Sequence, residues 1–120
     1  MIAKIYLSYE LSYSGDYDGL YVWLDKHGAI ECGDGTCLIK YNCPEIEDLQ
    51  SNENSNQFLD YIRKDISENV NIKASDRIYI ILELTYHDEY RMMGCFLFGA
   101  RKDAPWTGRS KQSLEDINLD

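Results

Sequence analysis

Two stretches of the chain alternate apolar and polar side chains residue by residue, and such a chain must build a sheet with one buried face. From Ile2 to Glu10, Ala3, Ile5, Leu7 and Tyr9 fall on one side, while Lys4, Ser8 and Glu10 fall on the other. From Arg77 to Tyr86, Ile78, Ile80, Leu82 and Leu84 form a second apolar stripe. Side chains in a strand point to opposite faces in turn, so this period of two marks half-buried strands rather than helices. At 120 residues the chain is one domain and long enough to bury a core of its own.

Between those strands the period changes. Within Tyr17 to His27, Leu20, Trp23, Leu24 and His27 recur at helical spacing, Asp16 is placed to cap the first turn, and Gly28 stops the helix. Ala29 to Cys32 and Thr36 to Tyr41 flank Gly33-Asp34-Gly35, which predicts a hairpin, and Pro44 closes it. The polar, acidic stretch Glu45 to Asn56 predicts a loop with room for one helical turn. From Ser55 or Asn56 onward, Phe58, Leu59, Ile62 and Ile66 predict a second helix. Asn69 to Ser75 leads back to the strand at Arg77, His87 to Tyr90 makes a polar turn, and Met92 to Phe98 is a fifth strand. The expected class is α+β, a ferredoxin-like β-α-β-β-α-β sandwich with an appended strand, spanning residues 1–100. Residues 101–120, with Pro105, Gly108 and few apolar side chains beyond Trp106, Leu114 and Ile117, are expected to be a mobile tail or a partner-docking arm. An extra strand and a free sheet edge also suggest a homodimer.

Charge narrows the function. Twelve Lys and Arg stand against 21 Asp and Glu, a net charge of -9, which repels phosphate backbones and argues against direct nucleic-acid binding. Arg101, Lys102 and Arg109, with Trp106 among them, make a sparse local patch that is the one place for such a contact. No apolar run is long enough for a membrane span, and the first residues lack a secretory signal, so the expected location is cytoplasmic. In that compartment Cys32, Cys37, Cys43 and Cys95 read as small buried thiols, since their spacing does not suit a zinc site. Asp16, Asp18 and Asp34 read as caps and turn formers rather than as an oxygen-rich metal pocket with Glu10. His27 suits a helix C-terminus, and no nucleophile has an inferable relation to it or to His87.

Three segments carry a family resemblance. They are Tyr6-Leu7-Ser8-Tyr9-Glu10-Leu11, Asp16-Tyr17-Asp18-Gly19-Leu20-Tyr21 with Leu24 and Gly28-Ala29, and Asp34-Gly35-Thr36-Cys37-Leu38-Ile39-Lys40; Asp76-Arg77-Ile78-Tyr79 is a further echo. In these stretches the chain resembles SinR-like and VapD-like small ferredoxin-fold proteins, related to the CRISPR adaptation subunit that accompanies the integrase. The resemblance implies a dimer and, in the nuclease members, an aspartate at the end of the first strand that holds a divalent metal. Here the matching pair is Tyr9-Glu10, so the resemblance makes Glu10 a metal ligand and catalytic residue of a nuclease using Mg or Mn.

The preferred expectation is different. It is a non-catalytic, cofactor-free acidic module that binds a basic protein of a nucleic-acid-processing system, as an antitoxin, a phage-encoded inhibitor or a defence-associated subunit does. Glu45, Glu47, Asp48, Glu53, Asp60 and Asp65, with Glu68 behind them and Trp106 on the arm, are its expected partner-binding residues. The metal-dependent nuclease and a purely structural subunit of a larger complex are the alternatives.

Overall fold

The alternating stretches lie side by side at the centre of one antiparallel sheet in the computed structural model, which describes residues 2–49, 51–86 and 89–99. Strand β1 spans Ile2–Glu10, helix α1 Tyr17–Lys26, β2 Ile30–Gly33, β3 Thr36–Asn42, α2 Asn52–Asn69, β4 Arg77–Tyr86 and β5 Glu89–Phe98. The five strands are ordered β2-β3-β1-β4-β5. Ile5 of β1 faces Ile39 of β3 on one side and Leu82 of β4 on the other, so their side chains share a face. Ile5, Leu7, Ile39, Ile78, Ile80 and Leu82 are fully buried there.

Both helices close over this face. Helix α1 contributes Leu20, Trp23 and Leu24, and α2 contributes Phe58, Leu59, Ile62 and Ile66, all in one continuous core with the strand residues. Phe58, Ile62 and Ile66 recur every four residues with Leu59 beside them, which gives an 18-residue helix a single apolar stripe. The start of α1 is fixed as its sequence suggests: Asp16 accepts from the Gly19 amide at 2.9 Å, and its other oxygen accepts from the Asn71 amide at 2.9 Å. A Cβ at residue 19 would overlap the Asp16 carboxylate as it sits, so a side chain there would have to displace the cap. Those two backbone bonds hold the Asp16 carboxyl below its ordinary pKa.

The main differences from the sequence expectation lie in three elements. Helix α2 begins at Asn52, with Ser51 Oγ accepting from the Asn54 amide at 3.0 Å, so Glu53 lies in its first turn and not in a loop. A first turn needs capped amides rather than apolar side chains, which is why the polar run concealed it. The remaining loop is anchored, since Ile46 and Leu49 are both buried. Strand β2 is shifted by one residue to Ile30–Gly33 and is exposed along its length. Strand β5 starts at Glu89 rather than Met92, pairing with β4 out to Tyr86↔Glu89. Backbone bonds carry a hairpin past the point where its apolar pattern stops. Among the described residues no helix is long and apolar enough to cross a membrane.

Candidate functional site: an acidic cleft beside a buried carboxylate

Helix α2 presents Gln57, Asp60, Tyr61, Lys64 and Glu68 along one flank, at spacings of three to four residues that stack them on one side. The chain leaving β3 runs opposite, carrying Cys43, Glu45 and Ile46. Between the two walls lies a cleft of about 500 Å³, with Asp65 bordering its inner end. Glu45, Asp60, Asp65 and Glu68 bring four carboxylates to it, against the single ammonium of Lys64. The Tyr61 phenol reports this field. Its pKa is raised first by desolvation and then by Cys43, Glu45, Asp65 and Glu68.

Asp65 is tied into the fold by hydrogen bonds as well as bordering the cleft. Its Oδ2 accepts from the Tyr41 hydroxyl at 2.7 Å and from Trp23 Nε1 at 3.1 Å, and Oδ1 accepts from Asn69 Nδ2 at 3.2 Å. His27 Nε2 also lies 3.2 Å from Oδ2, close enough for an ion pair but off the angle a hydrogen bond requires. The ring of His27 is stacked on Tyr41 with centroids 5.1 Å apart, and it lies 4.6 Å from Trp23. Trp23 and His27 come from successive turns of α1, Tyr41 from β3 and Asp65 from α2. The carboxylate thus ties both helices to the sheet. Burial and then the bond to Asp65 push the Tyr41 phenol far above its ordinary pKa.

The sequence did hold a signal for this node. Position 65 follows Phe58 by seven residues and Tyr61 by four, so it sits at the margin of the buried stripe rather than on the solvent flank. An acid there must be paired.

The remaining expected residues separate. Glu45 and Asp60 reach the cleft, whereas Glu47 and Glu53 are exposed away from its walls. Asp48 is half-buried and accepts from Asn54 Nδ2, which pins the loop to α2. Asp60 is paired with Arg63, whose Nε donates to the Leu97 carbonyl at 2.9 Å. Glu10 is exposed at the end of β1, opposite Arg77 in the register. Asp18 and Asp34 are exposed, and no three His, Cys, Asp or Glu side chains converge among the described residues. Cys37 and Cys43 are buried as expected, Cys95 is half-buried, and Cys32 is exposed on the edge strand. Arg101, Lys102, Trp106 and Arg109 lie outside the described residues, as does His87.

Compared with family profiles, curated proteins and solved structures, the chain matches none.

Proposed function

We propose that this chain is a non-catalytic interaction module whose acidic cleft receives a basic segment of a partner protein. The observation that carries the reading is the cleft's composition: four carboxylates and one lysine around a tyrosine ring. A guanidinium or ammonium entering there gains charge-assisted hydrogen bonds from Glu45 and Glu68 and a ring face from Tyr61. Charged groups of this kind contribute orientation and encounter rate more than affinity. The helix-covered sheet with its inner order β2-β3-β1-β4 supports the ferredoxin-like reading of the fold. The likeness to the SinR-like and VapD-like proteins supports a partner from a nucleic-acid-processing system.

The test uses the full chain and a fluorescent hexa-arginine peptide as the probe. Binding should weaken as salt rises and should fall at least roughly tenfold in the Glu45→Lys, Glu68→Lys double variant with its circular dichroism unchanged. Glu47→Lys with Glu53→Lys should have a much smaller effect. Equal loss in the two double variants would refute a cleft and leave only a diffuse acidic surface. Cleavage of RNA or DNA that requires magnesium and disappears in Glu10→Ala would replace the reading with a nuclease.

A further inference from the structure

The sheet's second face, which neither helix covers, is not built like a solvated face. An antiparallel sheet with one wet side normally shows polar residues there. In this chain one cross-strand row runs Ile30, Leu38, Tyr6, Ile81 and Gly94 over β2, β3, β1, β4 and β5, each residue opposite the next in register. Beside it Tyr79 and Phe96 pack edge to face with centroids 4.9 Å apart. Ile2, four residues before Tyr6 on β1, shares the face. It is 65% exposed and Ile30 is 63% exposed. Contiguous apolar surface of this kind marks a contact with another molecule.

One row flanking the apolar one carries charge. Lys40 of β3 is opposite Lys4 of β1, and the register that sets Ile5 against Leu82 brings Glu83 of β4 beside Lys4 on its other side. Two lysines side by side repel, and Glu83 flanks only one of them. Even so, Glu83 Oε2 is shielded from solvent and accepts no hydrogen bond. A shielded oxygen of that kind calls for a further donor.

The face is complementary to itself. A two-fold axis laid along the strands, between β1 and β4, places each residue of β1 over the β4 residue that neighbours it in register, and the reciprocal contact forms with it. Tyr6 then lies over Ile81 of the second copy, Ser8 over Tyr79, and Lys4 over Glu83. One strand further out, Leu38 of β3 falls over Gly94 of β5, a bulky side chain against a residue with none. Glu83 of the second copy stands over Lys4 and next to Lys40, and its unpartnered oxygen gains an ammonium. An axis laid across the strands would instead set both lysines against the hydroxyls of Ser8 and Thr36, with no carboxylate opposite either. Aligned sheets stack ~10 Å apart and cross at about 30°, so the pairs nearest the axis are kept.

We infer that the chain forms a two-fold dimer through the helix-free face of its sheet, with β1 of each copy over β4 of the other. Five strands ~4.8 Å apart and roughly six residues deep at ~3.3 Å each cover roughly 400 Å² of flat sheet. Two copies give about 800 Å² before side-chain relief is counted, the low end for a specific contact, so the dimer exchanges with monomer. The acidic cleft is built from α2 and the chain after β3, on the helix side, and stays open in both copies.

Sedimentation velocity of the full chain over a wide range of concentration tests it. The mass should rise from that of one chain to that of two. Ile81→Lys puts a charge into the apolar row and should weaken association at least roughly tenfold with circular dichroism unchanged. Lys4→Glu alone and Glu83→Lys alone should each weaken self-association, because like charges then face each other across the axis. An equimolar mixture of those two variants should recover the dimer, with every acid over a lysine, which misfolded variants would not do. A monomer at every concentration would overturn the inference and give the face to some other occupant. A dimer indifferent to Ile81→Lys would overturn it as well, since the contact would then lie elsewhere. So would a mixture no more associated than its components, which would rule out this register.

Discussion

Replacing Asp65 should destabilise the protein far more than replacing any other acid on α2. In Asp65→Ala the Tyr41 hydroxyl and Trp23 Nε1 lose their acceptor, and both residues are only 1% exposed. An orphaned buried donor costs about 1–3 kcal/mol. Asp65 borders the cleft and its side chain is 23% exposed, so water can reach part of the vacated space and the lower half of that range applies. The expected total is about 2–4 kcal/mol, against roughly 0.5 kcal/mol or less for an ordinary surface acid. Asp65→Asn keeps one acceptor oxygen and should lose about half as much.

Urea unfolding of a double-mutant cycle isolates the bond. Tyr41→Phe alone removes one donor and should cost about 1 kcal/mol. In the Asp65→Ala background the same change removes an orphan and should cost little or nothing, giving a coupling of about 1 kcal/mol. The alkaline limb gives an independent reading. The Tyr41 phenol is raised by burial first and by Asp65 second. Once the pH exceeds the unfolded value near ~10, the unfolded chain releases a proton that the native chain retains, so stability falls as pH rises. Asp65→Asn should make that fall less steep, and Tyr41→Phe should remove this residue's share. A loss under about 0.5 kcal/mol for Asp65→Ala, with no coupling to Tyr41, would refute the node.

Asp76 is 1% exposed and accepts from the amides of Ser12 and Lys73, each at 2.7 Å, so Asp76→Ala should cost about 2–4 kcal/mol in the same urea assay. Burial works to raise its pKa, but those amide bonds outweigh it and hold the carboxyl below its ordinary value. Its stabilisation is therefore complete above about pH 4 and is lost as pH falls through the lowered pKa, and an acid titration of Asp76→Asn should lack that step. Ser51→Ala removes the cap of α2 and should lower stability by about 1 kcal/mol, with partial recovery in Ser51→Asp. Gly99 has φ +69°, and a Cβ there would overlap the Asp76 carbonyl oxygen, so Gly99→Ala should lower the melting temperature by several degrees. Burial, and next the bond to Tyr21, push the Tyr9 phenol up to about 12, so Tyr9→Phe should soften the loss of stability between pH 10 and 12.

The strands and both apolar helix stripes were legible because a period of two or of 3.6 is written into side-chain polarity itself. What the sequence concealed has physical reasons. The first turn of α2 consists of Asn, Glu and Ser, whose role is to satisfy amides, so it resembles a loop in any reading based on apolar periodicity. The start of β5 is set by pairing with β4 rather than by its own side chains. By residue type alone Asp65 is indistinguishable from Asp60 and Glu68, because all three are acids on one helix. Telling them apart takes the third dimension, in which Tyr41 arrives from a strand 24 residues away. Tyr6 and Leu38 gave a quieter signal. They are apolar at positions where the alternation calls for polar residues, which marks a sheet face that is not simply wet.

A net charge of -9 therefore overstates what a partner can meet. Asp16 and Asp76 are spent on backbone amides, Asp48 on Asn54, Asp60 on Arg63, and Asp65 on rings from α1 and β3. Glu45 and Glu68 are different: no described residue bonds to either, and both line the cleft. Attraction to a basic segment depends on carboxylates that can trade water for the ligand without first breaking a native bond. On that ground the salt dependence of binding should follow Glu45 and Glu68 rather than total charge. Neutralising that pair should flatten it more than neutralising Glu47 and Glu53 does, although the two changes remove the same number of charges. If both pairs flatten the salt dependence equally, long-range steering by the whole acidic body dominates and the cleft confers no preference.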